Sequence, residues 1–236
     1  MNSTSLPRHR SLRAAAFTLI EMLVVVTIIV VLLAFTTPAL MRTMQSSRLA
    51  TAGDGLMGAI SEAQQISFAQ NIPVEMRFFK FPEGLDTEDN YRAYQTFKIT
   101  QKFDAAGAVT EQLVPVNNLI RLSDSVIIVP DITLSPILMS GGQDFEDTKE
   151  GGSTGYSGVS GATYNALRFM PDGSCRTVGA AIGGLAALTY NNLPESFLTV
   201  TSESGQAITL ENLPKNFYTI QIDPFTGKAR NYRPGF

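Results

Sequence analysis

Three hydrophobic patterns follow one another along this chain, and each predicts a different element. From Phe17 to Phe35 every residue is apolar except Thr18, Glu21 and Thr27. Those nineteen residues make about 28 Å of helix at ~1.5 Å per residue, enough to cross a bilayer. Beyond Pro38 the run gives way to a stripe. Leu49, Ala52, Leu56, Ile60, Ala63 and Ile66 recur at three- and four-residue steps, with Arg48, Asp54, Glu62 and Gln65 on other faces. That spacing predicts an amphipathic helix with one face for a folded domain. Pro38 removes one backbone hydrogen bond and is expected to kink the helix without ending it. Gly53, Gly55 and Gly58 each cost ~1 kcal/mol relative to alanine; either packing tolerates them or they mark a melting point.

After Asn71 the period falls to two. Val74, Met76, Phe78 and Lys80 oppose Glu75, Arg77, Phe79 and Phe81, a strand signal that is only partly amphipathic. Tyr91 to Phe103 alternates more clearly, with Tyr91, Ala93, Phe97, Ile99 and Phe103 on one face and Arg92, Thr96, Lys98 and Lys102 on the other. A turn at Asp104 to Gly107 leads to a partner strand at Val109–Val114, and Val126–Val129 reads as a short buried strand. Tyr164–Met170 and Cys175–Val178 flank the turn Pro171-Asp172-Gly173-Ser174, and Phe217–Ile222 and Lys228–Tyr232 flank Asp223-Pro224-Phe225-Thr226-Gly227. The glycine-rich run Gly179 to Gly184 reads as a loop, because it lacks the setting of a dinucleotide-binding turn. Residues 140–161 keep no hydrophobic period and predict a mobile surface loop. Their carboxylates, Asp144, Glu146, Asp147 and Glu150, have calcium-binding chemistry; the spacing matches no defined calcium loop, and a solvated acidic loop is the simpler reading.

The fold class that follows is α+β, a long N-terminal helix packed on an antiparallel sheet. Its divisions are a basic leader (1–16), a transmembrane half of the helix (17–37), an amphipathic half (38–70) and an exported β-rich domain (71–236). Arg8, Arg10 and Arg13 should hold the N-terminus in the cytoplasm and send everything after Pro38 across the membrane. A cleaved secretory signal has a shorter apolar core and an A-x-A-like cut site, and none closes this run.

One carboxylate inside a hydrocarbon segment is the sharpest chemical feature. An ionised group at membrane depth costs at least ~2.5–3.5 kcal/mol, so Glu21 is a functional candidate by default. The basic leader, the small Ala16 and the string Phe17-Thr18-Leu19-Ile20-Glu21 resemble the N-terminal signature of type IV prepilins and type II secretion pseudopilins. Leu167 to Gly173 and the Pro224 to Gly227 turn are similar to two hairpins of the H-type minor pseudopilins. Arg8 to Arg13 and the ending Tyr232-Arg233-Pro234 are also similar to the cassette-type pilin-like proteins of verrucomicrobial genomes. The resemblance implies a pilin-like fold and an inner-membrane subunit with its C-terminal domain in the periplasm. It implies cleavage between Ala16 and Phe17 by a prepilin peptidase, N-methylation of Phe17, and assembly with other pilin or pseudopilin subunits through Glu21 and helix packing. Pro38 takes the place of the family's helix-bending proline. The family nearly always has glycine where this chain has Ala16.

Composition narrows the alternatives. The sole histidine is His9, in the leader, and the sole cysteine is Cys175. A processed chain would therefore lack a Ser-His-Asp or Cys-His mechanism and the usual zinc sites, and no metal or cofactor is expected. Cys175 reads as a small buried apolar residue. Without the three leader arginines, 15 basic residues face 21 acidic ones, a net charge of −6, so nucleic acid is not an expected partner. The chain is read as not an enzyme. The competing readings are an ordinary signal anchor carrying an exported enzyme, with Asp172 and Asp223 as candidate glycosidase carboxylates, and a DNA-uptake pilin using Lys98, Lys102, Lys228, Arg230 and Arg233.

Overall fold

The computed structural model describes residues 17–81, 90–103, 105, 107–123, 125–139, 145–146, 163–182 and 185–233. The leader, Ala16 included, and most of the acidic segment 140–161 lie outside the described residues. The chain divides into two compact units, Met1–Met44 and Gln45–Phe236. One helix, α1 (Leu19–Gln70), contributes to both. Twelve strands follow among the described residues: β1 (Val74–Phe81), β2 (Asn90–Phe103), β3 (Val109–Pro115), β4 (Ile120–Arg121), β5 (Val126–Ile128), β6 (Phe145–Glu146), β7 (Thr163–Phe169), β8 (Cys175–Ile182), β9 (Leu185–Thr189), β10 (Phe197–Ser202), β11 (Phe217–Ile222) and β12 (Ala229–Tyr232). A short helix, α2 (Pro136–Met139), precedes β6.

In the first unit the large apolar side chains from Phe17 to Phe35 are all exposed, and the helix is long and apolar enough to cross a membrane. Its hydroxyls are satisfied within the helix. Thr27, Thr36 and Thr37 donate to the carbonyls of Leu23, Leu32 and Leu33 at 2.8, 3.1 and 2.7 Å. Bonding back to the preceding turn removes the need for water that a free hydroxyl would carry into hydrocarbon. The backbone stays helical through Pro38, so the proline does not end the helix.

In the second unit the stripe packs as its spacing predicts. Leu49, Ala52, Leu56, Ile60 and Ala63 are buried in one core with Met76, Phe78, Leu167, Val200, Tyr218 and Ile220, and Ile66 is half-buried against it. Each fully buried leucine or isoleucine contributes ~1.5–3 kcal/mol. The helix stops through a Schellman motif: Asn71 takes a left-handed φ of 53°, and the Ile72 amide donates to the Ser67 carbonyl at 3.3 Å. The strands form a single antiparallel sheet in the order β12-β11-β10-β5-β2-β1-β7-β8-β9, with β3 and β4 on β2 and β6 on β7.

The three helix glycines separate by environment. A Cβ on Gly53 would lie 2.8 Å from the Tyr218 ring, whereas at Gly58 it would meet nothing within 4 Å. Gly53 is thus a packing requirement. Tyr218 lies across it and donates to Asp54 at 2.7 Å. A chain beginning at Gln45 is expected to fold alone as a soluble, β-rich domain, checked by circular dichroism. In it, Gly53→Ala should lower stability by ~1–3 kcal/mol through overpacking, while Gly58→Ala should raise it by up to ~1 kcal/mol. Urea midpoints measure both, and equal effects of like sign would contradict the packing assignment.

The expected two faces of β2 need correction. Phe79 pairs with Ala93 but Lys80 pairs with Tyr91, a bulge that leaves Arg92 as the extra residue. Across it the alternation reverses, as a one-residue slip requires. Tyr91 therefore joins the helix-side core with Phe78, while Ala93 sits with Phe79 in a second cluster. Two loop expectations also change. β8 continues through Gly179 to Ile182, and Phe145–Glu146, within the segment expected to be a loop, pairs with Tyr164 and Thr163.

Candidate processing and assembly site

The helix begins where the sequence places its most unusual carboxylate. Thr18 precedes the first helical residue, its carbonyl accepts the Met22 amide at 3.2 Å, and its Oγ1 accepts the Glu21 amide at 3.3 Å. This is the geometry of an N-cap, with Glu21 at the third helical position, the S/T-x-x-E pattern of a capping box. Four amides at a helix start lack intrahelical acceptors, and Thr18 satisfies one of them. Glu21 also lies where a negative charge favours the helix dipole. Sequence reasoning read Glu21 but missed Thr18, although the T-L-I-E spacing carried the signal.

Phe17 lies just outside the helix and is 69% exposed. Glu21 is also exposed, and no side-chain hydrogen bond or ion pair is found for it among the described residues. Pro38 lies within α1, in the same unit as Phe17 and Glu21. Ala16 lies outside the described residues.

The two carboxylates considered for catalysis are turn residues. Asp172 accepts the Ser174 hydroxyl and amide at 2.6 and 2.8 Å and the Arg176 guanidinium at 3.2 Å. Those bonds, led by the Ser174 hydroxyl, hold its pKa below the ordinary carboxylate value. The Phe225 amide does the same to Asp223. Neither group is poised as a general acid, which needs a raised pKa. The two turns meet each other. Cys175 donates its amide to the Pro224 carbonyl at 2.9 Å, and a Cβ on Gly227 would lie 2.7 Å from the Gly173 carbonyl. Gln64 of α1 donates to the Thr226 carbonyl. Cys175 is buried, and burial pushes its thiol up to about 12, so it is an inert core residue.

Charge is concentrated on the sheet face away from α1. Arg168 donates to Glu75 at 2.6 Å and to Glu111 at 2.6 and 2.8 Å. Arg77 donates to Glu75 at 2.7 Å and stacks over Tyr164 and Phe97, 4.2 and 5.1 Å from the ring centres. Glu75 and Arg168 are 1% and 2% exposed. Burial opposes the Arg168 charge, but the bonds and charges of Glu111 and Glu75 outweigh it and raise its pKa. With two cations and two anions the group is balanced, and every member has a partner. Among the described residues no cluster of three or more His, Cys, Asp or Glu side chains is placed to hold a metal ion.

No family model matches the chain, and neither a curated protein nor a solved structure matches it.

Proposed function

We propose that the chain is a pilin-like subunit, a minor pseudopilin of a type II secretion or type IV pilus-like filament. The observation that carries this reading is the Phe17-to-Glu21 string at the start of an exposed apolar helix. That helix runs on into a stripe packed against an antiparallel sheet. The leader is removed by a prepilin peptidase between Ala16 and Phe17, the new Phe17 amine is methylated, and the subunit waits in the inner membrane with its C-terminal domain in the periplasm. When helices pack side by side with an axial offset, Glu21 of one subunit meets the Phe17 amine of the next. Pairing offsets the burial penalty of each charge, so the contact sets register more than it adds stability. The Pro171 to Gly173 and Pro224 to Gly227 turns, the two that resemble H-type hairpins, touch each other at one corner of the domain.

The place of Glu21 in the first turn of α1 favours a second reading, because a carboxylate there complements the helix dipole in a plain signal anchor as well. N-terminal mass spectrometry of membrane-extracted protein separates the two. The filament reading expects a chain starting at methylated Phe17, and faster processing when Ala16 is replaced by glycine. An intact leader in cells with an active peptidase would sink it.

A further inference from the structure

We propose that Thr18 is a positioning residue for leader removal: as the N-cap of α1 it ends the helix before the scissile bond and keeps the amine side of that bond in non-helical backbone. The inference rests on the processing reading above. A protease takes its substrate as extended chain, and a bond inside an α-helix, with its amide and carbonyl engaged in the ladder, must first unwind. Phe17 supplies the nitrogen of the bond to be cut, and it is outside the helix and exposed. Two residues later, at Leu19, the helix has begun.

The sequence upstream makes such a stop necessary. Ala14, Ala15 and Ala16 precede Phe17, and alanine is the strongest helix former. Elongation of an existing helix needs no new nucleus, so a helix that already runs from Leu19 would readily add an alanine run to its N-terminal end. A residue at the cap has non-helical backbone angles while its side chain accepts a downstream amide. Thr18 makes that bond to Glu21, and its own carbonyl takes the first helical bond from Met22. Threonine is a good cap and a poor helix-interior residue, so both of its preferences oppose extension of the helix towards Ala16. The same contact orients the first turn, so the residue that stops the helix for the peptidase also fixes the backbone from which Glu21 projects.

Cleavage of the full-length chain, co-expressed with a prepilin peptidase and followed by mass spectrometry over time, tests the idea. Thr18→Ala should slow cleavage at Ala16–Phe17 about fivefold, the fold-change implied by loss of a typical cap. Thr18→Ser, which keeps the acceptor, should process at the wild-type rate. Ala15→Gly added to Thr18→Ala should recover most of the rate, because glycine disfavours helix upstream without restoring any contact at residue 18. Normal cleavage of Thr18→Ala would overturn the proposal while leaving the processing reading intact. A slow Thr18→Ala that Ala15→Gly fails to rescue would overturn it too, and would make residue 18 a side chain the peptidase reads directly. No cleavage of the wild type would instead remove the reading on which the inference stands.

Discussion

Glu21→Ala is expected to leave the protein in the membrane while cutting its recovery in filaments roughly a hundredfold or more, because removing one partner of a buried charge pair costs ~3–5 kcal/mol. Insertion rests on the apolar run and the upstream arginines, which the change leaves alone. The helix start also survives, since Thr18 Oγ1 holds the backbone amide of residue 21 and not its side chain. On the proposed reading, what is lost is the carboxylate that would meet a neighbour's amine, and its loss lowers the cost of staying in the bilayer. Glu21→Gln should fail similarly. Glu21→Asp, with the charge kept and one methylene removed, should fall between. Shear-fraction recovery or crosslinking alongside the native partner subunits measures assembly, with membrane fractionation as control. Wild-type assembly by the alanine variant would leave Glu21 with only its local place in the first turn of the helix, and would favour the plain anchor.

In the domain, the largest loss of stability is expected from Arg168→Met or Glu75→Gln. Each breaks a buried network whose two central members are almost inaccessible to water, and each should cost ~3–5 kcal/mol, a large part of a typical domain's ~5–15 kcal/mol. Arg168→Met strands Glu75 against Arg77 alone and releases Glu111. Replacing both residues by apolar ones should cost much less than the sum, because Arg77 and Glu111 are less deeply buried and keep access to water. Urea denaturation of the chain beginning at Gln45 gives all three values. Single variants within ~1 kcal/mol of wild type would mean that the network is hydrated and contributes like a surface ion pair.

Legibility followed the physics of each element. The helix stripe was readable because one face meets one core, so period and burial coincide at Leu49, Leu56, Ile60 and Ala63. The reversing turns were readable because Gly173 and Gly227 have positive φ, 89° and 64°, which few other residues adopt without strain. The faces of β2 were not, because the bulge at Arg92 is set by pairing with β1 and leaves no mark on β2 itself. β9 escaped for another reason: Leu185-Ala186-Ala187-Leu188 has helix-forming composition, and only its pairing with β8 makes it a strand. β10 carried a signal that went unread, the β-branched run Thr199-Val200-Thr201 between Pro194 and Gly205. At the N-terminus, motif resemblance drew attention to Glu21, whereas the local capping rule would have found Thr18 alongside it.

The interlocked turns bear on when the domain can become complete. Helix α1 is made first, yet Tyr218 fills the space over Gly53, Thr226 takes the hydrogen bond from Gln64, and Arg233 reaches Ser46 at 3.1 Å. The earliest element of the domain therefore waits for residues 162 and 187 positions further along the chain, and contacts so distant in sequence close slowly. Until then the stripe from Leu49 to Ala63 has only part of its cover, and incomplete chains expose it to aggregation. A chain ending before β11 would lack Tyr218, Ile220 and Ile222 and would leave that stripe partly uncovered.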